Sequence, residues 1–224
     1  GKRQYDSAEH LARDIADSAD AIHAAQALTA LANIAQLRGR LRDADRLSTR
    51  ANPALARTRG ESANPYAPTY AQAMQDGVIR GNASRGIAQL DSTLRAHPVA
   101  SLPLTLDPSL SLAAAYAQLD AVGKARDVLR QYEGRLDSLT RRGNAVGIAR
   151  DRGMIAMAEG KTDSAVAYFR QGDVEVDGLP TNNCGACTPY LIGVAYDRGR
   201  QADSARKYLT EYVDMPGGSR LNID

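Results

Sequence analysis

The residues with the clearest chemical potential are Cys184 and Cys187, the only cysteines in the chain, in the stretch Asn182-Asn183-Cys184-Gly185-Ala186-Cys187-Thr188-Pro189. Four chemistries fit that spacing. A disulfide between them closes a small loop and places the chain in an oxidising, extracytoplasmic setting. A redox-active pair is the second, because Cys187 precedes a helix start that would stabilise its thiolate. Zinc is the third, although tetrahedral zinc wants four ligands and no second pair exists. His10, His23 and His97 lie far off in sequence. Inert thiols are the fourth. The disulfide is favoured, since a lone pair in a long loop otherwise has no task.

A second acidic constellation, Asp173, Glu175 and Asp177, alternates within one loop. Gly178 falls where a calcium loop needs its sixth residue, but Cys184 stands where the late glutamate belongs, so a solvated acidic loop is the default. No glycine-rich phosphate loop leads into a helix with lysine and serine or threonine. Gly81-Asn82-Ala83-Ser84-Arg85-Gly86 reads as a turn. No set of serine, histidine and aspartate, or of cysteine and histidine, can be proposed from spacing. The chain is therefore expected to be non-catalytic, with no cofactor and no metal.

Composition narrows the partners. The 224 residues carry 28 basic and 26 acidic side chains, a net charge of +2, and a mean hydropathy of −0.40. Charges of both signs are interspersed as on solvated helix faces, without the basic stripe that nucleic-acid binding requires. No apolar run approaches the roughly 20 residues that span a bilayer. The many alanines and arginines, with no tryptophan and one phenylalanine, are a helical composition.

The elements that would position these residues recur at a fixed period. Ala125, Ala165 and Ala205 lie forty residues apart, each followed four residues on by Leu129, Phe169 or Leu209 and preceded nine residues back by Tyr116, Ala156 or Tyr196. Ala8, Ala44 and Gly86 extend the series, giving spacings of 36, 42, 39, 40 and 40 residues. A period of roughly 20 to 50 residues marks a solenoid whose units cannot bury their apolar faces alone. A small residue at the repeated position lets two helices approach closely. Pro68, Pro108 and Pro189 mark first-helix starts on the same period.

Periodicity and punctuation predict helices over residues 6–17, 19–38, 41–51, 69–80, 83–96, 108–120, 123–140, 144–158, 162–172, 189–198 and 202–214. Residues 1–51 form the N-terminal helices, and Pro53 is expected to stop the third. Residues 52–68, rich in Asn, Pro, Ser and Gly, read as a connecting loop. Residues 69–224 hold the later units, with a long cysteine-containing loop at 173–187.

These offsets resemble the tetratricopeptide repeat family. The likeness is carried by Gly193, Tyr196, Ala205 and Leu209, by Gly153, Ala156, Ala165 and Phe169, and less closely by Ala113, Tyr116, Ala125 and Leu129. It is poor around Gly86, and the period of about 40 exceeds the family's commoner 34. The stretch from Arg152 to Tyr212 also looks like the helical-repeat regions of large bacterial signalling proteins. The resemblance implies an all-α, right-handed α-solenoid of about five helix-turn-helix units that binds a protein or peptide partner.

The ends look ragged. Gly1-Lys2 with Asp6-Ser7-Ala8 reads like Gly160-Lys161 with Asp163-Ser164-Ala165, as if the chain opened inside a repeat. Ser219 to Asp224 resembles the start of a further element. One reading is an excised or processed piece of a longer extracytoplasmic bacterial protein that serves as an assembly scaffold. The other is a structural subunit of an extracellular filament or tube, whose uncapped ends stack head to tail. Either partner would meet candidate interface residues Tyr5, Leu11, Ile15, Tyr66, Tyr70 and Leu221. The other tyrosines are expected to pack between helices.

The disulfide expectation is checked by alkylating denatured, unreduced protein. No free thiol is expected, and two would overturn it.

Overall fold

The structure is a computed structural model that describes residues 2–18, 20–59, 66–104, 107–172 and 187–215. Among the described residues it is all-α, with twelve α-helices, one π-helical stretch and one 3-10 turn, and no strand. It divides into two compact units, residues 1–64 and 65–224.

The first unit holds α1 (Lys2–Ala16), α2 (Ala21–Leu37) and α3 (Leu41–Arg59). Asp20 caps α2 by accepting from the backbone N–H groups of Ile22 and His23 at 2.8 and 3.1 Å. The third helix does not stop at residue 51 but runs through Pro53 to Arg59. A mid-helix proline forfeits one backbone hydrogen bond. Here, apolar side chains on both sides of the proline, Leu47, Ala51 and Leu55, pack with Ala25 and Leu28 of α2 and hold the helix together. Packing overrides the local breaker, so residues 52–59 and 66–68 of the expected 52–68 loop are helical, and 60–65 lie outside the described residues.

The second unit begins with α4 (Tyr66–Met74), which passes into a π-helical turn, Gln75–Ile79, and is followed by α5 (Ala83–Ala96). Helices α6 (Ser109–Gln118), α7 (Val122–Arg135), α8 (Ser138–Gly143), α9 (Ala145–Ala158), α10 (Thr162–Gln171), α11 (Cys187–Arg198) and α12 (Ala202–Asp214) complete it. The expected helix 123–140 breaks at Leu136. Asp137 there accepts from the N–H groups of Leu139 and Thr140 and starts the short α8. The main core cluster of the second unit runs from Tyr66 and Ala73 through Tyr116, Leu129 and Ala156 to Phe169 and Ala195, and Tyr132, Leu136 and Ile148 form a smaller one.

One backbone device recurs along the chain. Gly39, Gly81, Asp120, Gly160 and Arg200 all adopt the left-handed conformation, with φ of 72°, 71°, 59°, 73° and 57°. Each stands five residues before one of the small residues Ala44, Gly86, Ala125, Ala165 and Ala205, and each small residue is buried. At four of the turns the same two capping bonds form. The residue after the left-handed one donates to the carbonyl of Ala35, Tyr116, Ala156 or Tyr196, and the left-handed residue itself donates three positions back. That is the Schellman arrangement, which satisfies the orphan carbonyls of the first helix while reversing the chain.

The turn at Gly81 differs. Asn82 donates to Asp76, one position further back than its counterparts, and Arg80 donates to Gln75 across a π turn. One residue has been inserted into the end of the first helix, which accounts for part of the long spacing of 42.

The second helix then lies tight on the first. A β-carbon on Gly153 would sit 2.4 Å from the ring of Phe169, and one on Gly193 would sit 2.7 Å from the side chain of Leu209. A β-carbon on Gly86 would meet the carbonyl oxygen of Ala73 at 2.6 Å. Gly134, in contrast, faces open space.

Substitutions to alanine should therefore split by sign. Gly86→Ala and Gly153→Ala should lower stability by about 1 to 3 kcal/mol through overpacking, whereas Gly134→Ala should raise it by up to about 1 kcal/mol from helix propensity. Arg200→Gly should also stabilise, by up to about 1 kcal/mol, by relieving a left-handed non-glycine residue. Denaturant midpoints at constant m-value check all four.

Candidate protein-interaction grooves

The repeat positions named from sequence fall at the helix contacts of each pair. Ala44, Gly86, Tyr116, Ala125, Leu129, Gly153, Ala156, Ala165, Phe169, Gly193 and Ala205 are buried, and Tyr196 and Leu209 are half-buried. Of the candidate interface residues, Tyr5, Leu11 and Ile15 are 42, 62 and 40 % exposed along α1, whose packed face instead uses Glu9 and Ala12. Tyr66 corrects the sequence expectation. It is 2 % exposed, and its hydroxyl donates to the carbonyl of His97, so the ring anchors α4 against the end of α5 instead of meeting a partner. Tyr70 is half-buried beside Gln118 and Asp151. Cys184, Leu221, the 173–178 acidic loop and nearly all of the expected 173–187 loop lie outside the described residues. Cys187 is the first residue of α11. Among the described residues, no cluster of His, Cys, Asp and Glu has the makings of a metal site, and no helix is long and apolar enough to cross a membrane.

Among the described residues, two grooves open where consecutive second helices of the second unit lie side by side. The groove between α5 and α7 encloses about 650 Å³. Leu94, Val99 and Val128 give it an apolar floor, and polar pairs stand at its two ends. At one end Asp91 accepts from Lys124 at 2.8 Å and from the Tyr116 hydroxyl at 2.8 Å. Burial opposes the Asp91 charge, but these two donors prevail and hold its carboxyl below the ordinary range. At the other end Arg135 pairs with Asp107, whose side chain is 1 % exposed.

The groove between α7 and the α9–α10 pair encloses about 460 Å³. Its walls carry Arg126 and Arg130 from α7, Arg152 from α9 and Lys161 before α10, against only Glu133 and Glu159. Arg126 and Lys161 share the single carboxylate of Glu159, while Arg152 meets Glu133 at 2.8 Å. Arg130 pairs with Asp127, which is 60 % exposed and three residues back on the same helix, so solvent screens that contact. The groove is therefore net basic. Ala156 and Leu129 form its base and Tyr168 one side.

Two buried acids of the second unit escaped the sequence reading. Asp76, in the π turn, is 2 % exposed and is held by Arg80 at 2.5 Å, Arg85 at 2.9 Å and Gln89 at 2.9 Å. Burial works against its charge, yet the donors keep its carboxyl below the ordinary range. Asp151, on α9, is 4 % exposed and has one carboxylate oxygen without a hydrogen-bond partner. Desolvation pushes it well above the usual carboxylate range, and Arg150 offsets only part of that. Their one sequence signal is an acid at an otherwise apolar face position.

No protein-family model, curated protein or solved structure matches the chain.

Asp151 should reduce stability near neutral pH. Its folded pKa lies above the unfolded value, so its cost is absent below the unfolded pKa and grows as pH rises toward the folded one. Asp151→Asn should stabilise by about 1 to 3 kcal/mol at pH 7. The gain should vanish near pH 3, and urea melts of both proteins across that range check it.

Proposed function

We propose that this chain is a non-catalytic interaction module of the tetratricopeptide type, a right-handed solenoid of about five helix pairs that docks a protein or peptide partner in an extracytoplasmic bacterial assembly. The observation that carries this reading is the fivefold recurrence of one turn: a left-handed residue at 39, 81, 120, 160 and 200, with a buried small residue five positions later. Units of this kind bury little alone and gain stability by stacking, which lays out extended grooves suited to peptides. The basic and apolar grooves beside α7 supply two chemically distinct surfaces in one row. The extracytoplasmic setting rests on the Cys184–Cys187 pairing expected from the sequence. Sites on such folds host many functions, so the partner follows from groove chemistry.

A second reading has its own observation. Leu11 and Ile15, one turn apart on α1 and both exposed, form an apolar patch of the kind that joins subunits of a homopolymeric filament, with Tyr5 exposed near the start of the same helix.

One pair of measurements separates them. Under the first reading, light scattering gives a monomer or dimer, and selection on a displayed random-peptide library enriches a sequence that no longer binds after denaturation. Under the second, negative-stain microscopy shows fibres that Leu11→Asp abolishes without loss of helicity. A chain that neither polymerises nor enriches a peptide overturns both.

A further inference from the structure

The repeat provides an internal standard for what fills each groove. Tyr116, Ala156 and Tyr196 are equivalent by spacing and by backbone, since the carbonyl of each accepts the same capping bond from the residue after the left-handed turn. Tyr168 and Tyr208 are equivalent in the same way, eight residues past their turn residues Gly160 and Arg200. In the last repeat Tyr196 stacks on Tyr208 with ring centroids 5.7 Å apart and planes 24° apart. Arg170, forty residues after Arg130, donates to the Tyr208 hydroxyl at 3.1 Å. One repeat earlier the stacking partner is missing. Alanine stands at 156, Tyr168 keeps its place, and the groove of about 460 Å³ opens between them.

From this geometry we infer that the gap over Ala156 is a receptor for an aromatic side chain carried on an acidic peptide, which deepens the interaction reading and rests on it. The incoming ring takes the place beside Tyr168 that Tyr196 takes beside Tyr208. An offset-stacked aromatic pair is a stable arrangement, and a tyrosine or phenylalanine brings large area with few rotors to immobilise. The walls select what flanks the ring. Four cations face two carboxylates, two of those cations share Glu159, and Arg130 leans on a solvated partner of its own helix. Arginine at such a wall offers a planar fork for a peptide carboxylate. A basic peptide would meet like charge, and an apolar one would leave the arginine heads without new partners. The neighbouring groove is not equivalent, because Tyr116 already fills its counterpart position and is tied to Asp91.

The test is a fluorescence-anisotropy titration of the full chain with a labelled dodecapeptide that carries one central tyrosine between aspartates and glutamates. Saturable binding is expected, weakened about tenfold or more when the peptide tyrosine becomes alanine, as for a buried aromatic anchor. Ala156→Tyr should abolish binding by restoring the residue type found at 116 and 196, with helicity unchanged. Arg130→Glu, at an exposed position that does not threaten folding, should weaken binding about tenfold, and added salt should do the same to the wild type. The assignment is overturned if the wild type shows no saturable binding to this probe. It is equally overturned if Arg130→Glu and a folded Ala156→Tyr bind as the wild type does. Peptides enriched from the random library that bind Ala156→Tyr and wild type alike would sink this site while leaving the interaction module standing.

Discussion

The close approach of the second helix of each pair to the first governs the second unit, and a single left-handed residue makes that approach possible. A helix that ends without αL geometry leaves its last carbonyls unpaired or carries the chain away from its own axis. At Asp120, Gly160 and Arg200 the chain turns within a few residues and closes both capping bonds. The next helix then starts so near the previous one that only glycine or alanine fits at the crossing. Gly153 against Phe169 and Gly193 against Leu209 show how little room is left. The turn and the small residue are thus one constraint. Relaxing either would separate the helices and expose the ring or aliphatic side chain between them.

This coupling explains why the repeat was legible in sequence. Packing density punishes every added methylene at the crossing, so the small residues stand out at 125, 165 and 205 even where the turn residue itself changes from glycine to aspartate or arginine. The boundaries that failed were set by competition between local and tertiary terms. Pro53 is a helix breaker on local grounds, yet apolar burial on both sides of it is worth more than one lost hydrogen bond. The split at Leu136 turns on Asp137 capping a new helix, a signal that the apolar pattern across 123–140 masks. Tyr66 reads in sequence as a candidate interface residue, set between Pro65 and Pro68. Its neighbours in sequence say nothing about His97, thirty-one residues on, which receives its hydroxyl.

The candidate site was less legible than the fold because its chemistry depends on which helices come to lie side by side. Arg126, Arg130 and Arg152 read in sequence as ordinary solvated helix charges, and so do Glu133 and Glu159. Only the packing of α7 against α9 and α10 gathers them around one groove and leaves the cations in excess. The buried acids carry the same lesson. Asp76 tolerates burial because the π turn and α5 bring two arginines and a glutamine within reach. Among the described residues, Asp151 has no comparable set of donors. A carboxylate held in that state costs stability, and folds retain such costs most often where they position something.

Within a solenoid the repeats serve as controls for one another. When the same turn, the same crossing residue and the same second-helix tyrosine recur, a difference at one position is isolated from the fold. Between 156 and 196 the difference is a whole aromatic ring, and the position beneath it remains well packed, with Ala156 only 5 % exposed. The missing ring therefore leaves the helices in register and removes only the stacking partner of Tyr168. Collapse is the usual response to a lost core side chain. Here it is opposed by the rigid crossing below and by the ion pairs Arg126–Glu159 and Arg152–Glu133, which tie α7 to α9 at a fixed spacing. A groove that stays open for those reasons is preorganised, and a ligand entering it need not spend binding energy on rearranging the helices.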